Sequence, residues 1–285
     1  MHEKPVKISE TRSAKEFVCF AKSVYIWLVT VFLVLLWFPF VLITFLRDRD
    51  PLKRKTTRAI RRLNVAVSRA NPLLDLDFDE GYIPVPNQAY IIVANHQSVA
   101  DVPLVSNVPV EVKWVAKDVL FNLPFTGWMM RMAGDIPVHL RDPDKMKILQ
   151  KANVYLQQGF SVVFFPEGRR SLDGHVYRFS RGAFELAAET GIPILPVVVD
   201  GLHVLLPMNS WKFGNQTEVR MKVLEPVETT GLSIKEAGYL RERVRFKMMD
   251  QLAEWREVSR DDVDGILRQA QSRAEEEPDT VPLFY

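Results

Sequence analysis

The chain has 285 residues, enough for one large domain or two small ones with a sizeable buried core. With 47% hydrophobic and 25% charged residues it has the composition of a folded protein, which excludes a mostly disordered chain. The net charge is only +2, and the single Cys19 excludes an internal disulfide and a cysteine cluster for zinc, while fitting a reducing compartment.

From Val24 to Leu46 run 23 residues without a charge, VYIWLVTVFLVLLWFPFVLITFL. A helix of that length reaches about 34 Å, enough for a hydrocarbon core of about 30 Å. A helix apolar on every face needs lipid or the centre of a large protein around it. The run exceeds the apolar core of a signal peptide, and no small-x-small cleavage site follows it. Pro39 removes one backbone bond, so two geometries stay open: one spanning helix, or two shorter helices dipping into one leaflet as a hairpin.

Residues 47–69 then carry nine Lys or Arg against two Asp, whereas AEEEPD at 274–279 is acidic. Ile60, Leu63, Val67 and Ala70 recur at helical spacing beneath the arginines, the pattern of a basic amphipathic helix on an anionic leaflet or of a solvated helix face. The positive flank places the following domain on the cytoplasmic side, opposed by Lys4, Lys7, Arg12, Lys15 and Lys22 on the other flank. Nucleic acid is the other usual partner of a basic run, and the adjoining membrane segment argues against it.

Beyond Asn71-Pro72 the pattern becomes α/β. LLDLDFDEG and AYIIVAN read as strands, 101–107 as a helix with Pro103 just inside it, VEVKWVA as a strand, 118–133 as a helix and DIPVHL as a strand. DPDKMKILQKANVYLQQG reads as a helix with an Asp-Pro start and a Gly stop. SVVFF is a buried strand, followed by a helix around 181–190, the strands ILPVVVD and TEVRMKVLE, and a long helical C-terminus. Strands alternating with helices predict a largely parallel central sheet flanked by helices.

Two strand exits carry unusual residues, NHQSVAD at 95–101 and PEGRRS at 166–171, and in open α/β sheets ligands collect at the carboxyl ends of strands. If a helix starts near Ser98, Asp101 falls in its first turn and faces back toward His96, fixing the imidazole tautomer and leaving the other nitrogen to accept a proton. Equally, Asn95 or Ser98 caps the helix and His96 points to solvent. At the second exit Gly168 marks a tight backbone, and Arg169, Arg170 and Ser171 present donors suited to a phosphate, or else form a turn with two solvated arginines. The sequence lacks a G-x-S-x-G elbow and a phosphate-binding G-x-x-x-x-G-K-[ST] loop, and His139, His175 and His203 show no metal-ligand spacing.

Taken in order, these segments resemble the glycerolipid acyltransferase family. Its N-H-x-x-x-x-D signature is met by Asn95, His96 and Asp101, and F-P-E-G-T-R-S by Phe165, Pro166, Glu167, Gly168, Arg170 and Ser171, with Arg169 where Thr is usual. Ile194-Leu195-Pro196-Val197-Val198 matches the family's apolar Pro-containing stretch. In G-x-[IV]-[FP]-x-x-R, Gly134, Ile136 and Pro137 fit, but Leu140 stands where Arg belongs and Arg141 comes one residue late. On a strand such a slip turns a side chain to the opposite face. Lys117 resembles the family's upstream lysine.

The resemblance implies an O-acyltransferase domain over 71–285 behind a membrane anchor at 1–70. His96, oriented by Asp101, is expected to deprotonate the sn-2 hydroxyl of a 1-acylglycerol-3-phosphate as it attacks a thioester of CoA or acyl-carrier protein, giving phosphatidic acid. Asn95, Ser98, Lys117, Arg141, Glu167, Gly168, Arg169, Arg170 and Ser171 are the implied substrate-binding residues, and neither a metal nor a cofactor is expected. Another lysolipid acceptor (a lyso-ornithine lipid, a lysophospholipid or a glycolipid) and a non-catalytic lipid-binding protein are the alternatives.

Overall fold

The computed structural model describes residues 8–78, 81–138, 145–214 and 217–269. It opens with helix α1, Ile8–Arg47, which runs through Pro39 without interruption, so the hairpin geometry is not the one adopted. Between Phe17 and Arg47 its most apolar 18-residue stretch has a mean hydropathy of 2.7, and this helix is long and apolar enough to cross a membrane. Its contacts with the rest of the chain are nevertheless spread along its side. Ser23 Oγ accepts from the Phe213 N–H at 2.8 Å, Trp27 Nε1 donates to the Trp211 carbonyl at 2.8 Å and Trp37 Nε1 to the Ala59 carbonyl at 2.9 Å. Val41 is fully buried in a cluster with Ala59, Leu63 and Met129. These contacts extend from residue 23 to 41, about 27 Å of helix, so α1 lies along the domain and shows lipid or solvent only its outer face.

Helix α2, Arg54–Arg69, is capped by Asp48, whose Oδ2 accepts from both the backbone N–H and the hydroxyl of Thr56 at 3.0 Å. Its arginine crown does not face outward as a whole. Arg54 pairs with Glu111 at 2.8 Å, Arg58 pairs with the same carboxylate, and Arg61 donates to the Ser106 carbonyl at 2.9 Å. Lys55, Arg62 and Arg69 remain exposed at seven-residue spacing, the stripe left to meet anions.

The strands are β1 Leu74–Phe78, β2 Ile91–Ala94, β3 Val112–Lys117, β4 Ile136–Val138, β5 Ser161–Phe164, β6 Ile194–Asp200 and β7 Thr217–Val223. They form one sheet in the order β1-β7-β6-β2-β5-β3-β4. The five from β6 to β4 are parallel; β7 is antiparallel to β6, and β1 is parallel to β7. The fold is therefore the expected largely parallel α/β sheet, with a reversed pair at one edge. β2, β5 and β6 are buried on both faces, as their unbroken Ile and Val content requires.

Helices α3 Asp101–Val105, α4 Thr126–Ala133, α5 Lys145–Gln157, α6 Gly182–Thr190, α7 Leu202–Leu205 and α8 Ala237–Arg256 complete the layers. The helix expected over 118–133 is divided: residues 118–122 form a 3₁₀ turn, Leu123 before Pro124 is held extended at φ −67° and ψ 134°, and α4 starts only after that proline.

Lys113 ties the two N-terminal helices to this sheet. It is fully buried, and its Nζ donates to the Leu52 carbonyl and Thr57 hydroxyl at 2.8 Å and to the Ala133 carbonyl at 2.5 Å. Burial pulls its ammonium down to about 8.

Candidate active site

β2 and β5 are parallel neighbours, so their C-terminal ends, and the loops NHQSVAD and PEGRRS, open on one rim. Leaving β2, Asn95 turns inward: its amide donates to the Val199 carbonyl and accepts from the Val199 N–H, both at 2.9 Å, stitching β2 to β6. His96 then emerges, with its side chain 20% exposed, while Asp101 at the start of α3 is completely buried.

Asp101 Oδ2 lies 2.6 Å from His96 Nδ1 and also accepts the backbone N–H groups of Gln97 at 2.7 Å and Ser98 at 2.9 Å. An ionised aspartate in that position can only accept, which favours the tautomer with its proton on Nδ1 and the lone pair on Nε2. The imidazole stacks on Phe165, centroids 4.2 Å apart at 21°, and Phe165 in turn lies over Trp114 at 6.2 Å. The ring is held on one side by an acid and on its face by an aromatic, and neither contact engages Nε2.

The second loop is pinned directly to the first. Glu167 Oε1 accepts the His96 N–H and Oε2 the Tyr177 N–H, each at 3.0 Å, and the Ser171 N–H donates to the His96 carbonyl at 2.7 Å. Burial pushes the Glu167 acid up to about 8. Gly168 has φ 70°, so a left-handed turn is what requires glycine there; an added Cβ would meet nothing within 4 Å.

Four of the residues expected to bind substrate have their side chains engaged within the frame. Asn95 and Glu167 are engaged as described; the Ser98 hydroxyl donates to the Leu206 carbonyl at 3.0 Å, and the Ser171 hydroxyl to Asp173 at 3.0 Å. Arg169 is exposed, resting on the Tyr177 ring at 4.7 Å, and Arg170 is half-buried; among the described residues neither forms an ion pair. Lys117 is exposed at the end of β3, two strands from β2, about 10 Å away at normal strand spacing. Arg141 lies outside the described residues.

Beneath His96 is a polar knot that sequence patterns did not reveal. Gln97, fully buried, lies 3.3 Å from Asp200 Oδ1 and 3.1 Å from His203 Nδ1, and Arg256 at the end of α8 holds Asp200 through two bonds of 2.9 and 2.6 Å. Its members lie up to some 160 residues apart, so no local spacing signals them.

The clamp on Glu167 has a measurable consequence. Glu167→Ala orphans two backbone donors and is expected to lower stability by about 2–6 kcal/mol, at about 1–3 kcal/mol for each buried unpaired group. Glu167→Gln, which keeps one acceptor, should lose about half as much in thermal or denaturant unfolding. The folded protein retains a proton on Glu167 that the unfolded chain, with an ordinary value of 4.5, releases. Stability from this group is thus complete below about 4.5 and is lost as pH rises through about 8, and the Gln variant flattens that slope.

Residues 78–200 match the family model described as Acyltransferase. The chain is 32% identical over 200 residues to the chloroplastic 1-acyl-sn-glycerol-3-phosphate acyltransferase LPAT1 of Arabidopsis thaliana, covering 69% of this chain and 54% of that protein. It is 34% identical over 178 residues to the 1-acyl-sn-glycerol-3-phosphate acyltransferase of Saccharomyces cerevisiae, covering 58% of this chain and 56% of that one. The chain thus spans little more than half the length of these curated relatives. Among solved structures it is similar to the 1-acyl-sn-glycerophosphate (LPA) acyltransferase PlsC of Thermotoga maritima, with a TM-score of 0.70, 27% identity, and coverage of 85% of this chain and 98% of that one.

Proposed function

The chain belongs to the acyltransferase family, and from that premise we propose that it transfers a fatty acyl group from a thioester to the sn-2 hydroxyl of a 1-acylglycerol-3-phosphate. The observation that carries this reading is the 2.6 Å contact between His96 Nδ1 and Asp101 Oδ2, on the same rim as two arginines that form no ion pair with a described side chain. His96 Nε2 takes the proton as the acceptor oxygen bonds to the thioester carbonyl carbon. The tetrahedral adduct then collapses, the C–S bond breaks, and the imidazolium returns the proton to the departing thiolate. No acyl-enzyme is needed, and the buried hydroxyls of Ser98 and Ser171 are engaged elsewhere in the frame.

Arg170 and Arg169 supply forked donors for the acceptor phosphate. The donor, CoA or acyl-carrier protein, meets the same rim. The apolar outer face of α1 and the exposed Lys55, Arg62 and Arg69 suit a leaflet of anionic lipid on the cytoplasmic side, where acceptor and product both reside.

An acceptor panel tests the substrate. With labelled acyl-CoA, lysophosphatidate should outpace a lyso-ornithine lipid, a lysophosphatidylcholine and a lysoglycolipid. Arg170→Ala should raise KM for lysophosphatidate about 10–100-fold, the equivalent of one charge-assisted hydrogen bond of about 1.5–3 kcal/mol. Equal rates with and without the phosphate monoester would reject the assigned acceptor.

A further inference from the structure

Between Asp118 and Arg131 lie twelve consecutive uncharged residues, VLFNLPFTGWMM. Their large side chains are not all folded inward: Val119 is 59% exposed, Leu120 40%, Leu123 47% and Trp128 47%. An apolar surface this dense on a protein exterior marks a contact site.

The backbone underneath is strained to present it. Phe125 has φ 58° and ψ −63°, and the Thr126 N–H bonds to the Pro124 carbonyl at 2.6 Å, which is a γ-turn of the positive-φ kind. For a residue with a side chain such a conformation costs about 1–3 kcal/mol and persists only where its surroundings enforce it. The result is a cluster of three rings: Phe125 stands 5.2 Å from Trp128 and 5.1 Å from Phe38 of α1, and Phe38 5.8 Å from Trp128. Gly127 lets α4 close onto the 3₁₀ turn, since an added Cβ would lie 2.4 Å from the Phe121 carbonyl oxygen. The patch is thus built in advance and rigid.

Two continuities say what covers it. On one side the ring cluster joins the patch to the outer face of α1, where Leu35, Leu36, Phe40 and Ile43 are exposed on a helix whose most apolar stretch has a mean hydropathy of 2.7. On the other, the 3₁₀ turn follows directly from the rim end of β3, toward which the stack His96, Phe165, Trp114 extends. Lys117, exposed at that junction, has the long stem and charged head that settle at a headgroup layer.

We propose that residues 119–128 are a second lipid-inserting element, seated in the same leaflet as α1, through which a membrane-resident acceptor enters the His96 rim. The entry route rests on the acyltransferase reading; the insertion does not. The occupant is the acyl-chain region of a bilayer, because the patch continues a surface already long and apolar enough for lipid.

The test uses the full chain with Cys19→Ser and Leu123→Cys, labelled with bimane and mixed with phosphatidylglycerol and phosphatidylethanolamine vesicles carrying brominated acyl chains. Quenching at position 123 comparable to that of a Leu36→Cys label, and none for Lys235→Cys on the 3₁₀ turn before α8, is the expected result. Leu120→Glu with Leu123→Glu should lower transfer to long-chain lysophosphatidate in vesicles about tenfold or more, and to a short-chain soluble analogue by no more than about twofold, because charge in the patch opposes insertion alone. Absence of quenching at 123 overturns the proposal, as does an equal loss with both acceptors, which would make the patch a support of the fold. A dimer in detergent that the double variant dissociates, with no quenching at 123, assigns the patch to a second copy and also overturns it. If the unaltered protein acylates neither acceptor the acyltransferase reading fails, while quenching still decides insertion.

Discussion

Replacing His96 by Ala is expected to lower kcat for acyl transfer by about 10²–10⁴-fold, the usual contribution of a positioned general base. The KM for the lysolipid should hardly move, because the arginines proposed to hold its phosphate are on the other loop. The fold should survive, since the side chain is 20% exposed and its contacts are one hydrogen bond to Asp101 and one ring stack on Phe165. Steady-state rates with purified protein from a host lacking background acyltransferase check this; unchanged kcat would remove His96 from the chemistry. Loss of activity with a collapsed unfolding transition would instead assign the ring a structural role.

Deleting residues 1–70 should prevent folding of the remainder, although the sequence places a domain boundary there. The ammonium of Lys113 would keep the Ala133 carbonyl and lose its two acceptors from Leu52 and Thr57. A buried charge stripped of its partners costs about 3–5 kcal/mol, a large part of a typical stability of about 5–15 kcal/mol. Glu111 would lose Arg54 and Arg58 together, and the surfaces covered by Ala59, Leu63 and Ile26 would face water. Circular dichroism in a mild detergent decides the matter. A cooperative transition for 71–285, near that of the full chain, would show that the anchor is a mere appendage.

What sequence could and could not disclose follows from the range of each interaction. His96 and Asp101 were legible because a strand end and the first turn of the next helix bring residues five apart face to face. The five parallel strands were legible from their apolar runs, while the reversal of β7 depends on a connection that no periodicity encodes. Asn95 and Ser98 look like ligands in a motif, yet their partners, Val199 and Leu206, are 104 and 108 residues away. Glu167 likewise accepts from the backbone of His96, 71 residues away, and of Tyr177, 10 residues on. The reading of 118–133 as one helix passed over Pro124, and the γ-turn at Phe125 and the ring it aims at α1 are set by tertiary contact. In α1 the apolar run predicted lipid; that one side is pressed against Ala59, Trp211 and Phe213 was not visible in it.

The most direct measurement is the protonation of the His96 ring by ¹⁵N NMR of histidine-labelled protein, assigned by difference against His96→Gln. A proton on Nδ1 and a bare Nε2, shifting toward the opposite tautomer or an even mixture in Asp101→Asn, is the predicted spectrum. A proton resident on Nε2 in the unaltered protein would leave nothing to accept the acceptor hydroxyl's proton and would contradict the mechanism.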